Sequence, residues 1–166
     1  MHQESNGMAD EKPKYSGVQT PILRRSEPFF SWEDTARLPY KETDAAIFKG
    51  ISRQILFSET ALAGELRYFE IEPGGYSTLE RHEHVHGVVV IRGAGRCLVG
   101  FEVKDIKPLD LITIPAWTWH QFRPLADETL GFLCLVNAIR DKPALPTNDD
   151  LATLNAVPSV AAFLGS

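Results

Sequence analysis

Apolar and polar residues alternate in short runs through the middle of the chain. Alternation over four to eight residues is typical of β-strands with one buried face. Turn sequences such as Glu72-Pro73-Gly74-Gly75 and Arg92-Gly93-Ala94-Gly95 separate the runs. The segments that fit this pattern are 50–57, 65–71, 77–82, 88–91, 96–101, 110–114, 118–123 and 131–136. The pattern therefore predicts an all-β domain, with a double-sheet jelly-roll barrel as the expected architecture.

The two ends of the chain differ from this strand-rich centre. Residues 1–27 are polar and contain Gly, Pro and Lys, which predicts a flexible N-terminal tail. We expect residues 28–140 to form the barrel together with an N-terminal arm. Residues 141–166 are predicted to form a C-terminal helical tail.

Two short helices are predicted in that tail. Thr147 and Asp150 have the spacing of a capping box, and Leu151 and Leu154 follow on one helical face. A second helix is expected over 159–164.

The arm begins with the apolar sequence Pro28-Phe29-Phe30-Ser31-Trp32. Two interpretations stay open for this segment. It packs either on its own barrel or on a partner subunit.

Three of the five histidines in the chain fall at alternate positions within one short stretch. In a strand, Glu80, His82, His84 and His86 would share one face. Grouping imidazoles and a carboxylate beside the apolar run 88–91 is unfavourable unless their lone pairs are satisfied. A divalent metal ion would satisfy them, whereas the alternative is a solvated face of an edge strand.

Strand geometry limits which of these groups share one ion. Residues four apart on a straight strand lie about 13 Å apart, which metal–nitrogen bonds of about 2 Å cannot span. Either two neighbouring members bind, or the chain bends between His82 and Gly87. His120, which follows the strand-like run before Pro115, would complete the ligand set from a neighbouring strand.

The spacing resembles the first motif of the cupin family, which runs Gly, five residues, His-x-His, three or four residues, Glu, six residues, Gly. Gly74, Glu80, His82, His86 and Gly93 fit that frame. Glu80 stands in the usual first-histidine position and His86 in the usual glutamate position, so the ligand types are permuted.

The second cupin motif is matched more loosely. Pro115 and His120 keep its spacing, but Trp117 replaces a glycine and Pro124 an asparagine, and Asp110 lies near the first glycine position without filling it. The resemblance covers about residues 64–137. It implies a metal-binding cupin barrel.

The resemblance assigns Glu80, His82, His86 and His120 to the metal ion. An alternative register uses His82, His84 and His120. Imidazoles with one carboxylate suit Fe, Mn, Ni, Cu or Zn, and such a set disfavours Ca and Mg. The expected cofactor is therefore a divalent transition metal.

Several side chains are candidates for lining a pocket around the ion. Trp117 and Trp119 flank His120, and Phe122 lies two residues beyond it on the same strand face. Aromatic side chains on a barrel interior also serve as core. Arg67 and Tyr68, together with Arg53 and Arg123, are further candidates, since arginine binds carboxylates in a bidentate manner.

Composition excludes several classes of partner. A net charge of −5 and a pI near 5.5 argue against nucleic-acid binding. The sequence has no apolar run long enough for a membrane-spanning helix and no signal-peptide pattern. Its two cysteines are expected to be reduced thiols in a cytoplasmic protein. Cupins commonly pair through sheet edges, so the resemblance also implies a homodimer.

A shell of three histidines and one glutamate leaves coordination positions open for a small organic substrate or dioxygen. The cupin resemblance implies a metal-dependent oxidoreductase of the dioxygenase type. The alternatives are a non-redox isomerase or lyase, in which the metal acts as a Lewis acid, and a non-catalytic module that binds a metal or a small ligand. The sequence assigns no catalytic residue beyond the metal ligands.

Overall fold

Strands dominate the part of the chain that the computed structural model describes, residues 23–41, 47–59 and 61–165. In chain order the elements are β1 (Ser26–Glu27), β2 (Ser31–Trp32), β3 (Leu38–Pro39), β4 (Lys49–Glu59), β5 (Gly64–Tyr76), β6 (His86–Arg92), β7 (Gly95–Val99), β8 (Glu102–Ile106), β9 (Leu111–Ile114), β10 (His120–Pro124), β11 (Leu130–Asn137), α1 (Asn148–Asn155) and α2 (Pro158–Leu164).

The strands form two main sheets that face each other. The larger sheet has the order β3-β4-β5-β11-β6-β9 and the smaller one β10-β7-β8. All pairings within them are antiparallel. This is the all-β barrel that the alternating pattern predicts.

The main core lies between the two sheets. The larger sheet contributes residues such as Ile71, Val90 and Phe132, and the smaller sheet contributes Phe122 and Ile106. Because strand side chains alternate between faces, the period-2 pattern of each segment is enough to line this interior.

A second, smaller core lies outside the barrel, where the two helices cover the smaller sheet. Leu154, Val160 and Phe163 of the helices pack there with Leu98 and Trp119 of the barrel. The helix start predicted at Thr147 is confirmed, because its side chain accepts from the Asp150 backbone N–H and the Asp150 carboxylate accepts in return. The predicted second helix is also present as α2. Neither helix is long and apolar enough to cross a membrane.

Two details of the predicted strand pattern are wrong. The segment 77–82 forms no regular strand, only isolated backbone pairs at Glu80 and Arg81. Strand β8 was missed, because its sequence Glu-Val-Lys-Asp-Ile is largely exposed and lacks a hydrophobic face.

The N-terminal arm packs on its own barrel. Strands β1 and β2 pair with each other, and the rings of Phe30 and Trp32 lie 6.0 and 5.2 Å from the ring of Tyr68. Phe29 points to solvent, with 83% of its surface exposed. Residues 1–22 of the predicted flexible tail lie outside the described residues, and the domain boundaries at 27 and 140 and the homodimer stay predictions.

Candidate metal centre

The chain bends sharply between His82 and His86 instead of continuing as a strand. Strand β6 starts only at His86, and residues before it form a bend. The Asp141 carboxylate holds the bend, because it accepts hydrogen bonds from the backbone N–H groups of Glu83 (2.8 Å) and His84 (3.2 Å). This bend brings together imidazoles that a straight strand would keep apart.

His82, His86 and His120 form a compact triad at this point. One ligand atom from each lies within 4.8 Å of the others. Their ring centroids are 4.7 to 5.4 Å apart. His120 enters from β10, at the edge of the smaller sheet, so the triad joins the two sheets.

Hydrogen bonds orient two of the rings from behind. Nδ1 of His82 lies 2.7 Å from the carbonyl oxygen of His84, and Nδ1 of His120 lies 2.9 Å from that of Thr118. A carbonyl partner fixes the proton on Nδ1 and leaves Nε2 as the free lone pair. Nε2 of His82 and of His86 are buried without a hydrogen-bond partner among the described residues. Buried imidazole nitrogens that lack partners fit a divalent transition metal.

The three imidazoles are held in the neutral form that binds metals. Burial, reinforced by the neighbouring histidines, lowers the pKa of His86 to about 2. Burial also lowers the pKa of His120 to about 4, although its hydrogen bond to Thr118 opposes the shift. The pKa of His82 is lowered by burial and by the nearby His84. A neutral ligand set requires no proton release when the cation binds.

A buried thiol lies directly against the triad. Sγ of Cys134 is 3.2 Å from Nδ1 of His86, within hydrogen-bonding distance. Burial raises the pKa of this thiol to about 12, and the charges of Arg67 and Arg140 oppose the rise. From the sequence alone, both cysteines are expected only to be reduced thiols. The one available signal is the alternation along β11, which puts Cys134 on the inward face with Phe132.

Two members of the triad, His86 and His120, line one small cavity of about 40 Å³ together with the thiol. Most of its wall is apolar, so it provides a largely dry environment for the few polar groups that enter it. The lining residues are Tyr40, Ile51, Phe69, Ser77, Glu80, His86, Val88, His120, Phe122, Phe132 and Cys134.

Glu80, predicted as a fourth ligand, lines this cavity but is engaged elsewhere. Its carboxylate forms an ion pair with Lys41 and lies 3.5 Å from the hydroxyl of Tyr40. Its backbone pairs with that of His120. Among the described residues, the clusters of potential metal ligands do not include Glu80. Its role as a ligand therefore stays a prediction.

His84, the alternative ligand, belongs to a different group. Its ring stacks on His82 with centroids 3.5 Å apart, and its Nδ1 lies 2.5 Å from the Asp141 carboxylate. His82, His84 and Asp141 make a second cluster with potential ligand atoms within 4.8 Å. Because His82 belongs to both clusters, the two clusters compete for its imidazole. The hydrogen bond between Nδ1 of His82 and the His84 carbonyl favours the cluster with His86 and His120.

The aromatic pocket candidates occupy three different environments. Phe122 lines the cavity and stacks on Phe132 with ring centroids 4.7 Å apart. Trp119 lies instead in the outer core beneath the helices, with the guanidinium of Arg81 over its ring. Trp117 is 55% exposed at a positive φ, and its backbone N–H donates to the carbonyl of His82.

Two further pocket candidates, Tyr68 and Arg67, lie on opposite faces of β5. Tyr68 is on the outer face, covered by the arm, and its hydroxyl donates to Glu70. Arg67 is on the inner face, directly opposite Cys134 in the neighbouring strand, and pairs with Glu65. Neither residue lines the cavity, but Arg67 is the cross-strand neighbour of Cys134, which does.

The family model for the cupin domain matches residues 67–136. A protein of Rhodospirillum rubrum named 1-methylthio-D-xylulose 5-phosphate methylsulfurylase is 58% identical over 135 residues, which cover 81% of this chain and 86% of the relative. The chain therefore belongs to the cupin family, and it carries a histidine cluster able to hold a divalent metal ion.

Solved structures agree with this assignment. A cupin 2 conserved barrel domain protein from Rhodopseudomonas palustris is 52% identical, with a TM-score of 0.81 over 86% of this chain and 98% of that one. A cupin-2 domain protein from Rhodospirillum rubrum is 54% identical, with a TM-score of 0.78 over 88% and 97%. A shorter match, 38% identity over 58 residues, links 35% of this chain to 28% of a Bradyrhizobium protein named 5-nitrosalicylic acid 1,2-dioxygenase.

Proposed function

We propose that this protein is a metal-dependent enzyme that acts as a 1-methylthio-D-xylulose 5-phosphate methylsulfurylase, the activity for which its Rhodospirillum rubrum relative is named. The observation that carries the proposal is a thiol next to the metal-ligand triad: Cys134 contacts His86 and lines one cavity with His86 and His120. The extent of the similarity to that relative supports it, because the match spans most of both chains.

Removal of a methylthio group from this class of substrate requires a Lewis acid and a nucleophilic thiol. The methylthio group is on C1, next to the C2 carbonyl of the ketose. When the C1–S bond breaks with its electron pair left on carbon, the product is an enolate. A divalent ion held by the three imidazoles would supply a Lewis acid for the carbonyl oxygen.

Cys134 is the group in the cavity suited to accept the methylthio sulfur. Its thiolate attacks that sulfur, a disulfide bond forms between Sγ and the methylthio group, and the C1–S bond breaks. The electron pair stays on the enolate, which takes up a proton at C1. Nδ1 of His86 lies 3.2 Å from Sγ and, with its proton on this nitrogen, donates a hydrogen bond to the thiolate.

Transfer of the methylthio group to Cys134 also requires a proton for C1 and a reductant for the resulting disulfide. Cys134 must lose its thiol proton as Sγ attacks, and C1 must gain one; the hydroxyl of Tyr40, which lines the same cavity, would donate to C1 and be reprotonated by the proton from the thiol. The mixed disulfide on Cys134 must then be reduced by a thiol co-substrate, which carries away the methylthio group as a second disulfide. The thiol that Cys134 regains completes the cycle.

An oxygen-dependent reaction is the second candidate. The match to a protein named as a dioxygenase supports it, and so does the histidine-rich ligand set predicted from the sequence. That match covers about a third of this chain. The methylsulfurylase proposal also gives Cys134 a role, which the oxygenase proposal does not.

The test is turnover of 1-methylthio-D-xylulose 5-phosphate with a small thiol under argon and in air, after loading the protein with Mn²⁺, Fe²⁺ or Zn²⁺. We expect the demethylthiolated ketose phosphate, detected by ³¹P NMR and mass spectrometry, in equal yield with and without oxygen. Cys134→Ala should abolish its formation. Cys97→Ala is the matched control, because Cys97 is buried in the core away from this cavity. Oxygen-dependent consumption of substrate would contradict the proposal and favour the second candidate.

A further inference from the structure

We infer that Arg67 and Arg140, which pair with Glu65, together with the neighbouring Arg53, bind the phosphate group of the substrate. These four residues are called the arginine cluster below. The inference deepens the proposed function and rests on it for the identity of the ligand. Its physical basis is an excess of buried positive charge beside Cys134.

Strand register places most of the cluster on the inner face of the larger sheet. On β5, Glu65 and Arg67 share a face with the core residue Phe69, because side chains alternate. Arg53 of β4 is directly opposite Phe69, and therefore diagonal to Arg67 on that face. Arg140 lies in the segment that follows β11, and its side chain donates a hydrogen bond to the Glu65 carboxylate.

The arginine cluster contains more guanidinium groups than carboxylates to pair with them. Nε of Arg67 donates to Glu65 over 2.7 Å, and Nη1 of Arg140 donates to the same carboxylate over 3.1 Å. Arg140 also donates to the carbonyl of Asn137. Nε of Arg53 is buried and has no hydrogen-bond partner among the described residues. The cluster thus contains three cations, of which two pair with the one carboxylate of Glu65.

The directions of the pKa shifts in the cluster agree with charges that lie close together. Burial lowers the pKa of Arg140, and the positive charges of Arg67 and Arg53 lower it further against the opposing effect of Glu65. Burial raises the pKa of Glu65, but the hydrogen bonds and charges of Arg67 and Arg140 outweigh burial and lower it. A second anion beside Glu65 would balance the remaining charge.

The cluster does not line the cavity, but one of its members is next to a residue that does. Arg67 is the cross-strand neighbour of Cys134, and its charge influences both Cys134 and His86. A ketose 5-phosphate carries its phosphate at the opposite end of a five-carbon chain from the methylthio group. With C1 at Cys134, that chain would extend along the sheet toward Arg53 and Arg140. Guanidinium groups suit phosphate because their donors match its oxygens in pairs.

The experiment compares a phosphorylated sugar with its unphosphorylated form. Binding of D-xylulose 5-phosphate, D-xylulose and inorganic phosphate to the full-length, metal-loaded protein is measured by calorimetry. The variant is Arg53→Gln, since loss of Arg53 breaks no hydrogen bond that the structure records. Arg96→Gln is the matched control, because Arg96 lies over Phe163 on the helix-covered side of the smaller sheet.

We expect Arg53→Gln to weaken D-xylulose 5-phosphate binding roughly ten- to a hundredfold and to leave D-xylulose binding unchanged. Arg96→Gln should alter neither. The inference is overturned if the wild-type protein binds both sugars equally, or if Arg53→Gln weakens both to the same extent. Failure of the proposed function gives a different result, in which the phosphate-dependent binding persists but no methylthio group is removed.

Discussion

The inner face of the larger sheet has two ends with different chemistry, although the same strands build both. At one end Ile71, Phe69, Leu130 and Phe132 form a dry apolar core. At the other end the same strands carry Arg67, Glu65 and Cys134, and His86 follows from β6. The alternation of side chains along each strand therefore determines which residues enter the barrel. The residue types at those positions determine which end stabilises the fold and which end can bind a metal and a substrate.

The largest effect should follow from loss of a triad member. His82→Ala, His86→Ala or His120→Ala should each remove most of the bound metal, because each substitution takes one of three ligands from a site that has few substitutes. Metal content per folded protein, measured by mass spectrometry after dialysis, checks this. His84→Ala should retain the metal. If it lost metal as completely as His82→Ala, the second cluster with Asp141 would be the true site.

A substitution of Glu80 tests whether its carboxylate binds the metal as the three histidines of the triad do. Lys41 pairs with its carboxylate, so Glu80→Gln should reduce metal retention far less than His82→Ala does. The measurement is the same dialysis series. Metal loss equal to that of His82→Ala would establish Glu80 as the fourth ligand that the cupin resemblance implies.

We expect the apolar end of the larger sheet to contribute most to the free energy of unfolding. Phe132→Ala removes a buried ring that stacks between Phe69 and Phe122, and we expect it to lower the free energy of unfolding by about 3–5 kcal/mol. Denaturant titration measures the change, and metal content per folded molecule should be unaffected. Leu135→Ala on the outer face of the same strand is the control, with an expected change below about 0.5 kcal/mol. Equal costs for the two variants would mean that the apolar end does not dominate stability.

The triad end should instead make the metal-free protein sensitive to acid. His86 and His120 have folded-state pKa values of about 2 and about 4, below the 6.5 of the unfolded chain. The unfolded state therefore binds more protons, so their stabilising contribution is complete above pH 6.5 and is lost as the pH falls toward 4. Each histidine adds a slope of about 1.4 kcal/mol per pH unit at most. Unfolding free energies from pH 7.5 to 4.5 test this, and His120→Gln should flatten the slope, whereas an unchanged slope would contradict it.

The smallest stability effect is expected in the arginine cluster. Arg140 is about a quarter exposed, and its ion pair with Glu65 is partly solvated. Arg140→Gln should change the free energy of unfolding by about 1 kcal/mol or less. Thermal and denaturant unfolding measure it. A loss comparable to that of Phe132→Ala would show that the charged end holds the fold rather than a ligand.

Local pattern was enough to predict most of the barrel but only part of the site. The alternating strands and the Thr147 helix start depend on neighbouring residues, so the sequence displays them directly. The bend at 82–86 depends on Asp141, which is more than fifty positions away and carries no signal of its role. The contact between Cys134 and His86 depends in the same way on two strands pairing in one register.

The arginines illustrate the same limit. Arg53 and Arg67 were recognised as possible anion ligands from residue type alone. Arg140, however, lies beyond the last strand, where no strand pattern predicts its direction. Only the folded structure shows that the guanidinium groups of Arg67 and Arg140 meet at one carboxylate and that Arg53 lies near them.

The most direct test of the central claim is a single turnover without a thiol co-substrate. The metal-loaded protein is mixed with 1-methylthio-D-xylulose 5-phosphate, and intact-mass and peptide mass spectrometry follow under non-reducing conditions. We expect one methylthio group to be attached to Cys134 as a disulfide, Cys97 to be unmodified, and added thiol to remove the adduct. Product formation with both cysteines unmodified would contradict it.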